Sequence, residues 1–249
     1  MGLLATIHVK TKQQHEAIHE QPFLLRYRNE TVTLLDHYRH LSQLLPIYET
    51  LEKKLKAADF ALMIPEEFNE LLNRSEKIKS DMACISPYIM TADKDRIFPA
   101  TQNYVKQLDS LEPRSYSDSV GILGHYLVRI LGDLFGGQKL KDDVLELFKR
   151  TDVDTTPLYP GIKFYTFPAN SLRNFSLWLN TLILAKEDYM IECANDSFKK
   201  HALIFQELET SRDFKPLNGH SFFEKNKKVI LGTAALICGG MALGSLLRK

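Results

Sequence analysis

Two short stretches hold residue types in arrangements that could do chemistry. The first is RILGDLFGGQ, residues 129–138, where Gly132, Gly136 and Gly137 flank a single carboxylate, Asp133. The surroundings read as helix, and a glycine inside a helix costs about 1 kcal/mol relative to alanine. A helix lacking Cβ atoms at these positions can bend, and its backbone can approach a flat ligand more closely than a substituted residue permits. Gly132 and Gly136 share one face, so Asp133 beside them could hold ordered water against an apolar ligand and relay protons. The same pattern also suits two helices packed through small residues, with Asp133 exposed or capping.

The second stretch is HEAIH, residues 15–19, which matches HExxH. In that pattern two histidines one helical turn apart hold zinc and the glutamate activates water. The pattern fixes only three residues, no third ligand is evident, and Pro22 closes the helix within three residues. A zinc hydrolase therefore ranks below readings in which one histidine has another task or both lie on the surface. His37 and His40 lack the Glu-x-x-His carboxylates of a di-iron site and read as a solvated helix face. His125, eight residues before Asp133, lies about 12 Å away along a regular helix, too far to act on the same group.

These residues must be positioned by helices. Leu172, Phe175, Leu179, Leu182 and Ile183 recur at three- and four-residue steps through 171–193, as do Leu34, Leu41, Leu45, Tyr48 and Leu55 through 32–58. Prolines 22, 65, 87, 99 and 113 and the stretch 151–170 supply breaks, and no run alternates long enough to argue a sheet. The expected architecture is all-α. The chain of 249 residues carries 32 basic and 31 acidic side chains, with no basic stripe interleaved with aromatics, which argues against a nucleic-acid partner. Three scattered cysteines fit a reducing compartment and exclude a disulfide scaffold.

Domain organisation reads as a helical body over 1–210, an aperiodic linker over 211–228 with Pro216 and Gly219, and an apolar segment over 229–247. That last segment, VILGTAALICGGMALGSLL, has no charge across nineteen residues and lysines or arginine on both flanks. As a helix it would span about 28 Å, close to a bilayer core, so a C-terminal membrane anchor with the body in the cytoplasm is expected. Gly240 and Gly244 form a GxxxG through which the anchor could oligomerise.

Taken in order, several segments resemble the haem oxygenase family. RILGDLFGGQ resembles that family's distal helix, and TKQQHEAIHEQPF, residues 11–23, its proximal helix, with His15 at the position of the haem ligand. IYETLEKKL (47–55), PATQNYVKQLDSLE (99–112) and FYTFP (164–168) resemble further family segments in the right order, and the apolar tail is similar to that of membrane-bound members. The resemblance spans most of residues 5–210 plus the tail.

It implies a haem-oxygenase-like helical bundle with a C-terminal transmembrane helix. It also implies an enzyme that cleaves haem b, both substrate and cofactor, to biliverdin, ferrous iron and carbon monoxide. The reaction would use O2 and electrons from an external NADPH-dependent reductase or ferredoxin. His15 would be the axial iron ligand and Asp133 the holder of the proton-delivering water. Gly132, Gly136 and Gly137 would line the ligand, Tyr48 would back Asp133, and Arg129 would join that network. Lys12 matches a basic position beside the proximal histidine, and the candidates for the haem propionates are Lys12 and, by location only, Arg173 and Arg129. Two departures stand out: Phe135 where the family usually has a small residue and Ile130 where it often has an aromatic, which implies a distal pocket that is tighter or that exposes a different edge of the macrocycle. The alternative is a helical protein of this fold that binds haem or a partner without catalysis.

Overall fold

The computed structural model describes residues 2–58, 64–153, 161–182 and 186–211. Among these, every regular element is a helix. Ten α-helices follow one another: α1 (Leu3–His19), α2 (Pro22–Arg28), α3 (Leu34–Ala57), α4 (Asn69–Leu72), α5 (Ser75–Ile85), α6 (Pro99–Ser110), α7 (Tyr116–Phe135), α8 (Gly137–Arg150), α9 (Ser171–Leu179) and α10 (Glu187–Thr210).

Their boundaries have local causes. Pro22 and Pro99 occupy the first turns of α2 and α6, where the N–H that proline lacks would have no helical partner. Thr33 and Asp36 form a reciprocal capping box that opens α3: the Thr33 hydroxyl accepts from the Asp36 N–H at 3.1 Å, and the Asp36 carboxylate from the Thr33 N–H at 2.9 Å. Helix α3 continues through Pro46. The periodic stretch 171–193 is not one helix, because α9 stops at Leu179 and α10 begins at Glu187. There the N–H groups of Thr181 and Leu182 turn back to the carbonyls of Trp178 and Leu179, three residues behind each, and the Asn180 side chain accepts from the Leu4 N–H at 3.1 Å. Leu182, in this turn, still packs against the core, and Ile183 lies outside the described residues.

Helix α10 packs along α7 and carries α1 on another face, while α3 packs against α5, α6 and α7. The α7–α10 approach depends on Gly121 and Gly124. A Cβ at Gly124 would collide with the Met190 carbonyl, and one at Gly121 would press on Tyr189 and Cys193. Buried polar side chains tie the connecting segments to this frame. Gln43 on α3 accepts from the Phe98 N–H (2.8 Å) and the Thr101 hydroxyl (2.9 Å) and donates to the Arg96 carbonyl (2.9 Å). Glu52, also on α3, caps the start of α5, accepting from the N–H groups of Arg74 (2.7 Å) and Ser75 (2.8 Å). The Asp81 carboxylate on α5 accepts from the N–H groups of Lys163 (2.8 Å) and Phe164 (2.7 Å), which clamps a tight turn at 163–165.

The apolar segment 229–247 and all of the linker beyond Ser211 lie outside the described residues. Among the described residues no helix is long and apolar enough to cross a membrane.

The two kinds of helical glycine should separate in stability measurements. Gly124→Ala forces α7 and α10 apart and should cost about 1–3 kcal/mol in chemical denaturation. Gly132→Ala, with no atom within 4 Å of the added Cβ, should leave stability unchanged or raise it by up to about 1 kcal/mol.

Candidate functional site

A cavity of about 370 Å³ opens among α1, α2, α3, α7, α8 and α10, within the size range of small-molecule sites. Helix α1 contributes His15, Ile18 and His19; α7 and α8 contribute Arg129, Gly132, Asp133, Phe135, Gly136 and Gly137. Leu24, Leu44, Val128, Leu140, Phe198 and Phe205 make much of the remaining wall apolar, and Arg28 and Lys139 add two exposed cations to its rim.

The glycine segment is where one helix becomes two. Helix α7 ends at Phe135, Gly136 keeps a right-handed helical backbone (φ −82°, ψ −33°), and α8 starts at Gly137 with no intervening loop. Of the two readings of these glycines, close approach to a ligand suits Gly132, whose missing Cβ opens onto empty space, while tight helix packing belongs to Gly121 and Gly124. At Gly136 a Cβ would stand 3.1 Å from the Gly132 carbonyl.

Asp133 is neither exposed nor a cap. Its side chain is 18% accessible, and the Tyr48 hydroxyl, buried on α3, donates to Oδ2 at 2.5 Å. Behind the same oxygen stands Arg74, with Nε 3.8 Å away. The Arg74 side chain is fully buried, its guanidinium lying over the rings of Phe164 (4.8 Å) and Phe167 (4.1 Å). Its three guanidinium nitrogens find no hydrogen-bond acceptor among the described residues. Burial raises the Asp133 carboxyl to about 6, against the opposing pull of Arg74, the Tyr48 hydrogen bond and Arg129. Near neutral pH it is an anion that can accept a proton at small cost.

Arg129 is buried rather than solvated, and its Nη1 donates to the ring of His201 on α10, 2.7 Å from Nδ1. His37 and His40 are also buried, which corrects the expectation of a solvated face: both ring Nδ1 atoms lie near the Tyr27 hydroxyl, at 3.0 and 3.3 Å. Burial pushes both imidazoles down to about 3, so they are neutral. His40 and His201 line the cavity. His125 is buried elsewhere, its Nδ1 3.1 Å from the Tyr104 hydroxyl.

His15 and His19 both reach the cavity, their Nε2 atoms 3.1 Å apart, and burial lowers the pKa of each. Arg28 donates to His19 Nδ1 at 2.9 Å. The glutamate of the HExxH pattern, Glu16, is exposed and pairs with Lys12 at 3.8 Å. Among the described residues no cluster of three or more metal-ligating side chains forms.

Three expected positions lie apart from the cavity wall. Lys12 is exposed on α1, Arg173 is exposed on α9, and neither lines the cavity. Ile130 is fully buried in the core, so its departure from the family pattern is a packing change. Phe135 does line the cavity but is 55% accessible, so it stands at the rim and does not narrow the interior. Sequence reasoning missed Arg74, Arg28, Lys139 and His201. Only Lys139 carried a usable signal, two residues beyond the second glycine of the GG pair.

Tyr48→Phe and Arg74→Met each remove a partner that favours the charged form of Asp133. Both should move its titration above the value near 6, read by carboxyl ¹³C NMR; a midpoint unchanged in both would remove these residues from the control of Asp133.

Residues 1–207 match the family model described as "Heme oxygenase". The chain is 26% identical over 215 residues to heme oxygenase 1 of Homo sapiens, covering 80% of this chain and 69% of that one. It is 27% identical over 169 residues to the heme oxygenase of Rhodella violacea, covering 66% and 69%. In fold it is similar to the heme oxygenase of Leptospira interrogans, with a TM-score of 0.68 at 24% identity over 83% of this chain and 100% of that one. It is likewise similar to heme oxygenase-1 of Synechocystis in complex with heme, with a TM-score of 0.66 at 20% identity over 85% and 94%. A family model that spans residues 1–207 is decisive, and the chain belongs to the haem oxygenases, a family of enzymes.

Proposed function

We propose that this protein cleaves haem b oxidatively to biliverdin, ferrous iron and carbon monoxide, using O2 and electrons from an external NADPH-dependent reductase or ferredoxin. The observation that carries this reading is the placement of Asp133, held by Tyr48 and Arg74 beside a glycine whose missing side chain opens onto the cavity.

The residues present fit such a ligand. The walls are largely apolar, Gly132 leaves space for a flat ring, and His15 is a neutral imidazole able to offer Nε2 to the iron. Arg28 and Lys139 at the rim, in place of Lys12 and Arg173, are suited to the propionates. Bound haem would supply both the ring to be oxidised and the iron at which O2 is activated.

The protein's own part is proton delivery and orientation. With Oδ2 taken by Tyr48, Oδ1 of Asp133 is left to hold a water toward the cavity, and the carboxylate passes protons through it. Arg129, fixed by His201, adds positive charge that keeps Asp133 ionised. Gly132 and Gly136, lacking side chains, would let the backbone at the α7–α8 junction lie close to the ring. The segment 229–247 is read as a membrane anchor that keeps the helical body in the cytoplasm, with its GxxxG available for self-association. A haem binder without turnover is the second reading, and the fate of the Soret band separates the two.

Adding one equivalent of hemin and a reductant in air should give a Soret band that decays into the broad red absorption of biliverdin. His15→Ala should lose the imidazole-ligated spectrum, and Asp133→Ala should keep it but make no biliverdin. A Soret band that persists in the parent protein would leave the second reading. Turnover should fall as pH drops through about 6, because the Asp133 carboxyl is then protonated. Deleting 229–247 should release the protein from the membrane fraction on cell lysis; an unchanged distribution would refute the anchor.

A further inference from the structure

The proposed iron ligand does not offer a bare nitrogen. Arg28 is a donor only, so its Nη2 contact of 2.9 Å makes Nδ1 of His19 an acceptor. Neutral His19 then carries its proton on Nε2, and the atom 3.1 Å beyond it is Nε2 of His15. His15 must therefore accept there and carry its own proton on Nδ1. This chain of three side chains selects the tautomer of His15 that can bind a metal through Nε2, and at the same time covers the lone pair that would do so.

We propose that His19 is a removable cap on the iron-binding nitrogen of His15, a positioning residue that haem must displace to be ligated. This rests on the reading of His15 as the axial ligand. A metal–imidazole bond is about 2 Å long. With His19 Nε2 only 3.1 Å from the same nitrogen, iron and its ring plane would enter space that the His19 ring holds. The cap must swing aside. His19 does not replace His15, because Arg28 leaves it presenting a proton to the cavity instead of a lone pair. After the ring is cleaved, the same N–H is at hand to compete with departing iron for His15, so the cap favours release as well as slowing capture.

The test measures hemin dissociation constants for the parent, His19→Ala and His19→Gln, alongside long-range ¹H–¹⁵N spectra of the histidine rings in the haem-free protein. One net hydrogen bond lost on binding corresponds to roughly two- to tenfold. His19→Ala should bind hemin tighter by that factor, while His19→Gln, which keeps an N–H donor, should stay within about twofold of the parent. The spectra should show His15 protonated on Nδ1 and His19 on Nε2. Unchanged or weaker binding by His19→Ala, or His15 protonated on Nε2, would overturn the cap. Failure of the parent to bind hemin would instead defeat the haem-cleaving reading, and the spectra would still decide the cap.

Discussion

The structure depends on keeping the Asp133 carboxylate charged against the cost of its burial. Burial raises the Asp133 carboxyl and so disfavours its charged form. Tyr48 and Arg74 oppose that shift, and each needs support of its own. Glu52 fixes the Arg74 backbone at the start of α5, Asp81 clamps the turn that carries Phe164, and Phe164 with Phe167 receives the guanidinium. Removing one member of a buried charged pair typically costs 3–5 kcal/mol. The helices that look like scaffold, α3 and α5, are thus parts of the site at one remove.

What could be read from the sequence was what lies close together in it. The glycines and Asp133 sit within one ten-residue stretch, and His15 lies in another, so their residue types and spacing survive without knowledge of the fold. The pairing of Tyr48 with Asp133, 85 residues apart, was reachable only through the family resemblance. Arg74 was not, because in the run NRSEKIKS it resembles any solvated arginine at the start of a helix. Its full burial is a property of Phe164 and Phe167, some ninety residues further on.

His37 and His40 mislead for a related reason. Set among Asp36 and Arg39, they belong to a stretch that looks polar, yet α3 crosses the centre of the body and has no wholly solvated face at that level. The break between α9 and α10 was hidden by the opposite effect, since apolar residues of both helices feed a single core. Periodicity reports which face is buried; it is silent about where one helix ends and the next begins.

The junction at Gly136 makes the wall of the cavity a mechanical element. Because α7 and α8 meet at one residue with no loop, the angle between them has few degrees of freedom, the torsions around that glycine. Asp133 lies before the pivot and Lys139 after it. That one angle therefore sets how far the rim cation stands from the carboxylate, which Tyr48 and Arg74 hold from the other side.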